Sequence, residues 1–166
     1  PNNQKLVLWE DGNSTLTMWD INTWSIVAEW NGVLQNVFDF DFSPNGSYFA
    51  LAKYSGNVEI LSGNNLSSIT IINSTYSSMT LEFSPNGDTL AVGSGYGGHT
   101  LFYTSNWTQK FQVSYASLGV EGHTDLIFIE NGSVIVSAHN DPGAAIFIDS
   151  VTGQLLTYVY SGIDLR

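Results

Sequence analysis

The sequence predicts an all-β fold in which one strand-rich unit is repeated along the chain. Apolar and polar residues alternate with a period of two, as in residues 37–42 (Val-Phe-Asp-Phe-Asp-Phe), which is the pattern of a half-buried strand. Clusters of Gly, Asn, Ser and Pro separate such runs, and no long stretch is patterned for a helix. The turn sequence Ser-Pro-Asn-Gly at residues 43–46 recurs 41 residues later, at 84–87. Repetition at this period is typical of repeat architectures.

Each repeat is predicted to contain four strands. The first strand ends on an aromatic residue, Phe42 or Phe83, just before the Ser-Pro-Asn-Gly turn. A weaker copy of that turn is Glu-Asn-Gly at 130–132. The second strands are predicted at 48–52, 89–93 and 133–138, and the third strands at 58–61, 100–103 and 145–148. The N-terminal segment has the same order without a first strand, with runs at 6–9, 16–19 and 25–30.

Composition excludes several classes of protein. The 166 residues include 15 Asp and Glu but only four Lys and Arg, for a formal charge of −11, so a nucleic-acid partner is not expected. The absence of cysteine excludes disulfides, zinc fingers and thiol catalysis. No apolar run approaches the roughly 18 residues of a membrane span. We therefore expect no cofactor and no membrane span in this segment, which begins at Pro1 and is expected to be a processed chain or an excised piece.

The phased turns and three short motifs resemble the WD40 family and its YVTN-like relatives. The motifs are Gly-His-Thr-Asp at 122–125, Trp-Asp at 19–20 and Ile-Asp-Ser-Val-Thr-Gly at 148–153. The resemblance is degenerate but covers essentially the whole chain, and it implies a β-propeller of four-stranded antiparallel blades. The implied blades of the single domain or propeller segment 1–166 are approximately 163–166 plus 1–31, 36–73, 78–113 and 124–160.

Two arrangements of these four blades are open. Residues 163–166 followed by the N-terminus recreate the pattern of 40–49, so the C-terminal segment looks like the missing first strand of the first blade. Pairing of that segment with residues 6–9 would close a small ring and remove exposed sheet edges. Alternatively, the chain is part of a larger propeller, which we favour because WD40 rings usually have more than four blades.

The WD40 resemblance implies a buried hydrogen-bonded set of His, Ser or Thr, Asp and Trp. His123, Ser137 and Asp141 are the candidates for three of its members, and Ile148 occupies the Trp position. The other histidines, His99 and His139, are predicted in a turn after the second strand. We therefore expect a structural histidine rather than a catalytic one, and no catalytic residue is predicted.

Carboxylates recur at one position of the first strands, which would surround the propeller axis. They are Asp41, Glu82 and Asp164, with Ile127 at the corresponding position of the last unit. Three converging carboxylates are weak candidates for a hard-cation site or for sharing protons. The alternative, which we prefer, is that they contact loops or water and bind no metal.

Six Asn-x-Ser/Thr sequences fall in turns predicted between strands, where a glycan would be solvated. The candidate N-glycosylation sites are Asn13, Asn45, Asn65, Asn73, Asn106 and Asn131. In a four-stranded antiparallel blade, the turns after the first and third strands share a rim. Asn45, Asn65, Asn106 and Asn131 are therefore predicted on one rim, and the other two on the opposite one. The alternative is that these sequences are simply favoured in turns.

The tryptophans are concentrated in the first blade, and Trp30 is predicted to be the most exposed because it ends an outer strand. An exposed aromatic residue can stack on sugars or contact another protein.

Together these features predict a non-enzymatic structural or interaction module of a secreted, N-glycosylated cell-surface protein. Surface-layer, filament and adhesion proteins, such as those of archaea, are the expected types, with an extracellular location. The expected partners are other protein subunits, or the remainder of a larger chain, and covalent N-glycans. An intracellular WD40-type scaffold is the main alternative, and a propeller enzyme is a further one. Fold alone does not decide among these functions.

Overall fold

The chain is all-β in a computed structural model that describes residues 4–10, 15–32, 37–74, 77–96, 98–115, 118–141 and 143–161. Its strands are β1 (Lys5–Glu10), β2 (Thr15–Asp20), β3 (Ser25–Asn31), β4 (Val37–Phe42), β5 (Tyr48–Lys53), β6 (Asn57–Ser62), β7 (Ser68–Asn73), β8 (Ser78–Phe83), β9 (Thr89–Ser94), β10 (Gly98–Tyr103), β11 (Gln109–Ser114), β12 (Glu121–Ile129), β13 (Val134–Asp141), β14 (Gly143–Asp149) and β15 (Leu155–Tyr160). Among the described residues, no helix is long and apolar enough to cross a membrane.

Strands adjacent in sequence pair antiparallel and form four sheets. Blade 1 contains β1–β3, blade 2 contains β4–β7, blade 3 contains β8–β11 and blade 4 contains β12–β15. The predicted propeller fold is confirmed, with sheets that form an open array compatible with part of a larger propeller. Blade 1 has three strands within the described residues. The segment predicted to complete it, 163–166, lies outside them.

The repeated Ser-Pro-Asn-Gly sequence forms the same turn in blades 2 and 3. In blade 3, the Ser84 hydroxyl donates to Asn86 Oδ1 at 2.7 Å and accepts the Thr89 N–H at 3.0 Å. Gly87 adopts a φ of +75°, which glycine tolerates without a steric penalty. The turn at 43–47 makes the corresponding bonds. The motif therefore fixes the register between the first and second strands of a blade.

The hydrophobic core lies between the blades. Because side chains alternate along a strand, a blade presents one set of residues to each neighbour. Leu90 and Val92 of β9 pack towards blade 2, and Ala91 of the same strand packs towards blade 4. A third cluster joins Leu16 and Met18 of blade 1 to blade 2. Burying each large apolar side chain contributes about 1.5–3 kcal/mol, so each blade depends on its neighbours for stability.

The turn between the third and fourth strands packs on the preceding blade. Four residues after the third strand, Leu66 in blade 2 and Trp107 in blade 3 adopt φ of +58° and +60°. Leu66 is 1% exposed within the cluster shared with blade 1. The ring of Trp107 lies nearly perpendicular to that of Tyr48 in blade 2, with centroids 4.9 Å apart. Packing offsets the strain of about 1–2 kcal/mol that a left-handed backbone imposes on a side chain.

The three described lysines each contact a neighbouring blade. Lys5 of blade 1 donates to the Gly63 carbonyl of blade 2 at 2.9 Å. Lys110 of blade 3 donates to the Ser150 carbonyl of blade 4 at 3.0 Å. Lys53 of blade 2 forms an ion pair with Glu59 at 2.6 Å, and its ammonium lies 5.4 Å from the ring centroid of Trp30 in blade 1. The scarce basic side chains are thus used at blade junctions.

Candidate functional site

Four acidic side chains lie on the first strands of blades 2 to 4, and we call them the inner-strand carboxylates. They are Asp39, Asp41, Glu82 and Asp125. The strands that carry them, β4, β8 and β12, lie side by side in that order. The carboxylates are close enough for the charges of the three aspartates to act on Glu82. The prediction had paired Asp41 and Glu82 with Asp164, which lies outside the described residues.

Two of the inner-strand carboxylates join blade 2 to blade 3. Asp39 Oδ2 accepts hydrogen bonds from the Leu81 N–H at 2.9 Å and the Thr80 hydroxyl at 3.0 Å. Asp41 Oδ2 accepts one from the Phe83 N–H at 3.1 Å. These N–H groups belong to β8, the edge strand of its sheet, where unpaired backbone donors need partners. The two aspartates therefore have a structural role in connecting the blades.

Glu82 occupies the most strongly perturbed position of the cluster. Desolvation, followed by the negative charges of Asp41, Asp125 and Asp39, raises its pKa to about 7. Burial also raises the pKa of Asp41 above its usual value, although backbone hydrogen bonds oppose the increase. A carboxyl group with a pKa near neutrality can both hold and release a proton at physiological pH. Glu82 can therefore gain or lose a proton near neutral pH.

Asp39 and Asp125 are members that the sequence prediction missed. Each lies two residues before the position occupied by Asp41 in blade 2 and by Ile127 in blade 4. Residues two apart share a face of a strand, so the alternation in residues 37–42 contained the signal for Asp39. Among the described residues, no group of three or more His, Asp or Glu side chains has an arrangement that could hold a metal ion.

A second buried polar group lies between blades 3 and 4. The Tyr115 hydroxyl is 2.7 Å from His99 Nδ1, and the Ser137 hydroxyl is 2.8 Å from His139 Nε2. The rings of Tyr115 and His139 meet edge to face at 5.4 Å. All four side chains are buried. The prediction that His99 and His139 lie in turns is wrong, because β10 begins at Gly98 and β13 continues to Asp141.

Burial sets the protonation of this group. It lowers the pKa of His139 below 6.5, with a hydrogen bond to the Gly122 backbone acting in the opposite direction. It also raises the pKa of Tyr115, which a hydrogen bond from Ser137 opposes. The neutral forms are therefore favoured in the folded protein. Of the predicted WD40-like set, Ser137 pairs with His139, whereas the side chains of His123 and Asp141 lie outside the described part of the structure.

Backbone hydrogen bonds place the first and third turns of a blade on one rim. The Gly63 N–H donates to the Ser47 carbonyl at 2.8 Å in blade 2, and the Thr104 N–H donates to the Asp88 carbonyl at 3.0 Å in blade 3. The exposed candidate glycosylation sites on this rim are Asn45, Asn65, Asn106 and Asn131. Asn73 is exposed at the other end of its blade, where β7 ends, and Asn13 lies outside the described residues.

Two of these asparagines share a local geometry. Asn65 Oδ1 accepts the Ser67 N–H and hydroxyl at 3.1 and 2.9 Å. Asn106 Oδ1 accepts the Thr108 N–H and hydroxyl at 3.0 and 2.8 Å. Asn45 differs. It accepts the Ser43 hydroxyl and the Ser47 N–H. Asn86 accepts the equivalent Ser84 hydroxyl and Asp88 N–H, although it is not in an Asn-x-Ser/Thr sequence. The turn alone therefore explains Asn45.

A polar cleft of about 230 Å³ opens between blades 3 and 4 on the same rim. Asn86, Asp88, Lys110 and Asn131 contribute to its walls. Lys110 is held at one side by its bond to the Ser150 carbonyl. The cleft therefore places a candidate glycosylation site beside a junction between blades.

The prediction that Trp30 is the most exposed tryptophan is wrong. Lys53 covers part of Trp30, which is half-buried. Trp24 is instead 68% exposed.

Comparison with protein-family models and with curated protein sequences finds no significant match. The fold itself is common, with 1463 matching chains among solved structures, so structural similarity alone says little about function. A chain of the Kuenenia stuttgartiensis hydrazine synthase is similar with a TM-score of 0.84 and 15% sequence identity. The match covers 96% of the present chain and 47% of the other, so the present chain spans about half the length of its solved counterpart.

This similarity corrects one expectation from the sequence. The chain was expected to be non-enzymatic, but the similar structure belongs to an enzyme. The expectation is therefore withdrawn. At 15% identity, the similarity supports the fold and assigns no substrate to this chain.

Proposed function

We propose that the chain is a structural and interaction segment of a secreted, N-glycosylated cell-surface protein of the surface-layer, filament or adhesion type. One observation carries the proposal: four Asn-x-Ser/Thr asparagines are exposed in turns on a single rim. Glycans on that rim would be solvated, because all four asparagine side chains are exposed. The other rim and the blade faces would remain available for protein partners.

The composition supports an exterior location. Only 11% of the residues are charged and there is no cysteine, so most of the polar side chains are uncharged ones such as Asn, Ser, Thr and Tyr. The WD40-like and YVTN-like turn sequences, together with this composition, lead us to propose descent from that repeat family and an archaeal surface protein as the source. Neither proposal depends on the inner-strand carboxylates.

Mass spectrometry of the native protein tests the proposal. We expect an intact mass above the 18.1 kDa of the polypeptide, in steps of a hexose, and modified peptides that contain Asn65 and Asn106. In the native host, Asn65→Gln and Asn106→Gln should each remove one glycan. Asn86→Gln is the matched control, since Asn86 lies in a turn on the same rim but not in a glycosylation sequence. Bare asparagines at every site would overturn the proposal and favour the intracellular scaffold.

An enzymatic role is a second candidate, favoured by Glu82 and by the hydrazine synthase with a similar fold. In this role Glu82 would act as a general acid or base, because its pKa of about 7 matches neutral conditions. Any turnover found with hydrolysable test substrates should show a pH inflection near 7 that Glu82→Gln abolishes. Glu29→Gln, which removes an exposed charge from β3, should leave the profile unchanged. Turnover that survives Glu82→Gln would exclude this role for Glu82.

A further inference from the structure

The first and last blades each have an apolar face that is exposed at the end of the blade array. The corresponding faces of the other blades are buried against a neighbour. The blade-1 end face consists of Leu6, Leu8, Trp19 and Trp24. The blade-4 end face consists of Ile127, Val136, Ala138, Ala145 and Phe147. Cross-strand pairing places the strand residues of each set on one face, because Leu6 lies opposite Trp19 and Val136 lies opposite both Ile127 and Phe147. Residues directly opposite share a face of the sheet.

The blade-1 end face has apolar residues at the same positions as the face of blade 2 that is buried against blade 1. Leu6 and Leu8 hold the positions in β1 that Phe49 and Leu51 hold in β5. Phe49 and Leu51 are fully buried, whereas Leu8 is 47% exposed. Leu6 is also exposed. Blade 1 is thus built to pack on a preceding blade in the way that blade 2 packs on blade 1.

Trp24, in the turn between the third and fourth strands of blade 1, also indicates that blade 1 is built to pack on a preceding blade. It corresponds to Leu66 and Trp107, and it shares their left-handed backbone with a φ of +51°. Both counterparts pack against the preceding blade, Trp107 on the ring of Tyr48. Trp24 is 68% exposed. A strained backbone is normally offset by packing, and the packing available to Trp24 is with a further blade.

The blade-4 end face repeats the pattern that blade 2 presents to blade 3. The face of blade 2 is made of small and branched residues that are all fully buried, namely Ala50, Ala52, Val58 and Ile60. The blade-4 face likewise carries small and branched residues at its centre. Ile127 on this face is 48% exposed, and a shallow, mostly apolar groove of about 130 Å³ runs along Ile127, Val136 and Ala138.

We propose that the occupant of each end face is a second copy of this chain, with the blade-4 face of one copy packed on the blade-1 face of the next. Each copy carries both halves of a contact that the molecule already forms three times internally. The contact is head to tail, so it closes into a ring or extends into a filament according to the rotation between copies. This inference goes beyond the proposed function and requires no glycan.

Charge gives the contact a distinctive salt dependence. Each copy carries a formal charge of −11, so two copies repel each other, and added salt screens that repulsion. The apolar surfaces on the two faces supply the attraction. Association should therefore strengthen as the salt concentration increases, whereas a contact held by ion pairs would weaken.

Light scattering on unglycosylated protein provides the test. We expect assemblies whose mass is a multiple of 18.1 kDa. Leu8→Arg and Ala138→Arg place a charge on the blade-1 and blade-4 end faces respectively, at exposed positions, and each variant alone should be monomeric. Val151→Arg, at a turn residue that is 66% exposed and lies on neither face, is the matched control and should assemble like the unmodified chain.

Mixing the two charged variants separates this contact from a symmetric one. The mixture retains one intact junction, between the blade-4 face of Leu8→Arg and the blade-1 face of Ala138→Arg, so it should form a dimer of twice the chain mass. Circular dichroism shows whether each variant keeps its strands. A monomeric unmodified chain, failure of the mixture to dimerise, or dissociation of the Val151→Arg control would overturn the proposal. Because glycans are absent, the result is independent of the test of glycosylation.

Discussion

At the scale of single residues, most of the polar side chains with perturbed pKa values lie where blades meet. Asp39 and Asp41 use their carboxylates to accept backbone N–H groups of the next blade. Glu82 lies on β8, two residues beyond Thr80, and is affected by the negative charges of these two aspartates. His139 is buried against Ser137 and Tyr115 on another junction. Ionisation of Asp41, Glu82 and His139 is therefore linked to the stability of the blade contacts.

Glu82→Gln is expected to stabilise the protein at neutral and alkaline pH. The pKa of Glu82 is raised from 4.5 to about 7, so the folded chain holds a proton that the unfolded chain has released between these values. Stability attributable to Glu82 therefore falls as pH rises from 4.5 to 7. After allowance for solvent screening, the variant should gain about 1–2 kcal/mol at pH 8 and little at pH 4. Urea unfolding across this range, with Glu29→Gln as the charge-matched control, measures the difference.

His139→Gln is expected to change the pH dependence in the opposite sense. Burial lowers the pKa of His139 below 6.5, so the unfolded chain binds the additional proton as the pH falls below 6.5. The unmodified protein therefore loses stability in acid through this residue. The variant should lack that loss between pH 7.5 and 5. Thermal unfolding at these two pH values tests it, and equal losses in both proteins would contradict it.

At the scale of the element, the turn between the third and fourth strands is a recurring anchor. Leu66, Trp107 and Trp24 all adopt positive φ there, and the fourth blade has Gly153 with a φ of +74°. Glycine relieves the backbone strain but removes the packed side chain. The balance between strain and packing therefore differs from blade to blade, according to what the side chain contacts.

Trp107→Gly and Trp24→Gly should have different effects on stability. Trp107 packs on Tyr48, so its loss should destabilise the protein by about 2–4 kcal/mol despite the relief of strain. Trp24 is mostly exposed, so the same substitution should change stability by less than about 1 kcal/mol. Denaturant unfolding in the Leu8→Arg background, where the blade-1 end face is blocked, compares them. A loss at Trp24 as large as at Trp107 would show that strain and packing have been assigned incorrectly.

The strands and their turns could be predicted from sequence because alternation and turn chemistry are local. Ser84 and Asn86 hold the turn through neighbours in sequence, and that information is present in the motif itself. The position of His99 could not be predicted in this way. His99 was predicted in a turn, but β10 begins at Gly98, where an added Cβ would lie 2.6 Å from the Val113 carbonyl oxygen of β11. That glycine allows close approach of another strand, which is a non-local requirement.

The local features of the candidate functional site could also be predicted from the sequence, but the contacts that depend on blade packing could not. Alternation places Asp41 and Glu82 at matching positions of two inner strands, and the structure brings them together. Pairing of Ser137 with His139 depends on which face of β13 turns towards blade 3. That choice is made by the packing of whole blades, so the residue pattern within one strand could not reveal it.

At the scale of the whole molecule, the blades form a linear series in which each one is stabilised by its neighbours. The central strand β9 is buried along its full length, whereas β15 is exposed along its full length. In such a series, the ends open more readily than the middle.

Hydrogen exchange is therefore expected to be graded along the series. Amides of β9 and β10 should exchange most slowly, and those of β1 and β15 should exchange most rapidly. Exchange followed by mass spectrometry of peptic fragments gives the protection of each strand, and the monomeric Leu8→Arg variant serves to remove any contribution from assembly. Uniform protection from β1 to β15 would contradict this expectation and indicate that all four blades unfold as one unit.

The positions of the lysines affect how the folded chain responds to trypsin. Trypsin must draw a basic side chain into its specificity pocket, but Lys5, Lys53 and Lys110 each contact a neighbouring blade. Cleavage at these residues therefore requires neighbouring blades to separate first. The rate of tryptic digestion then measures opening of the junctions, and amine-reactive reagents should modify the same three side chains only as fast as the junctions open.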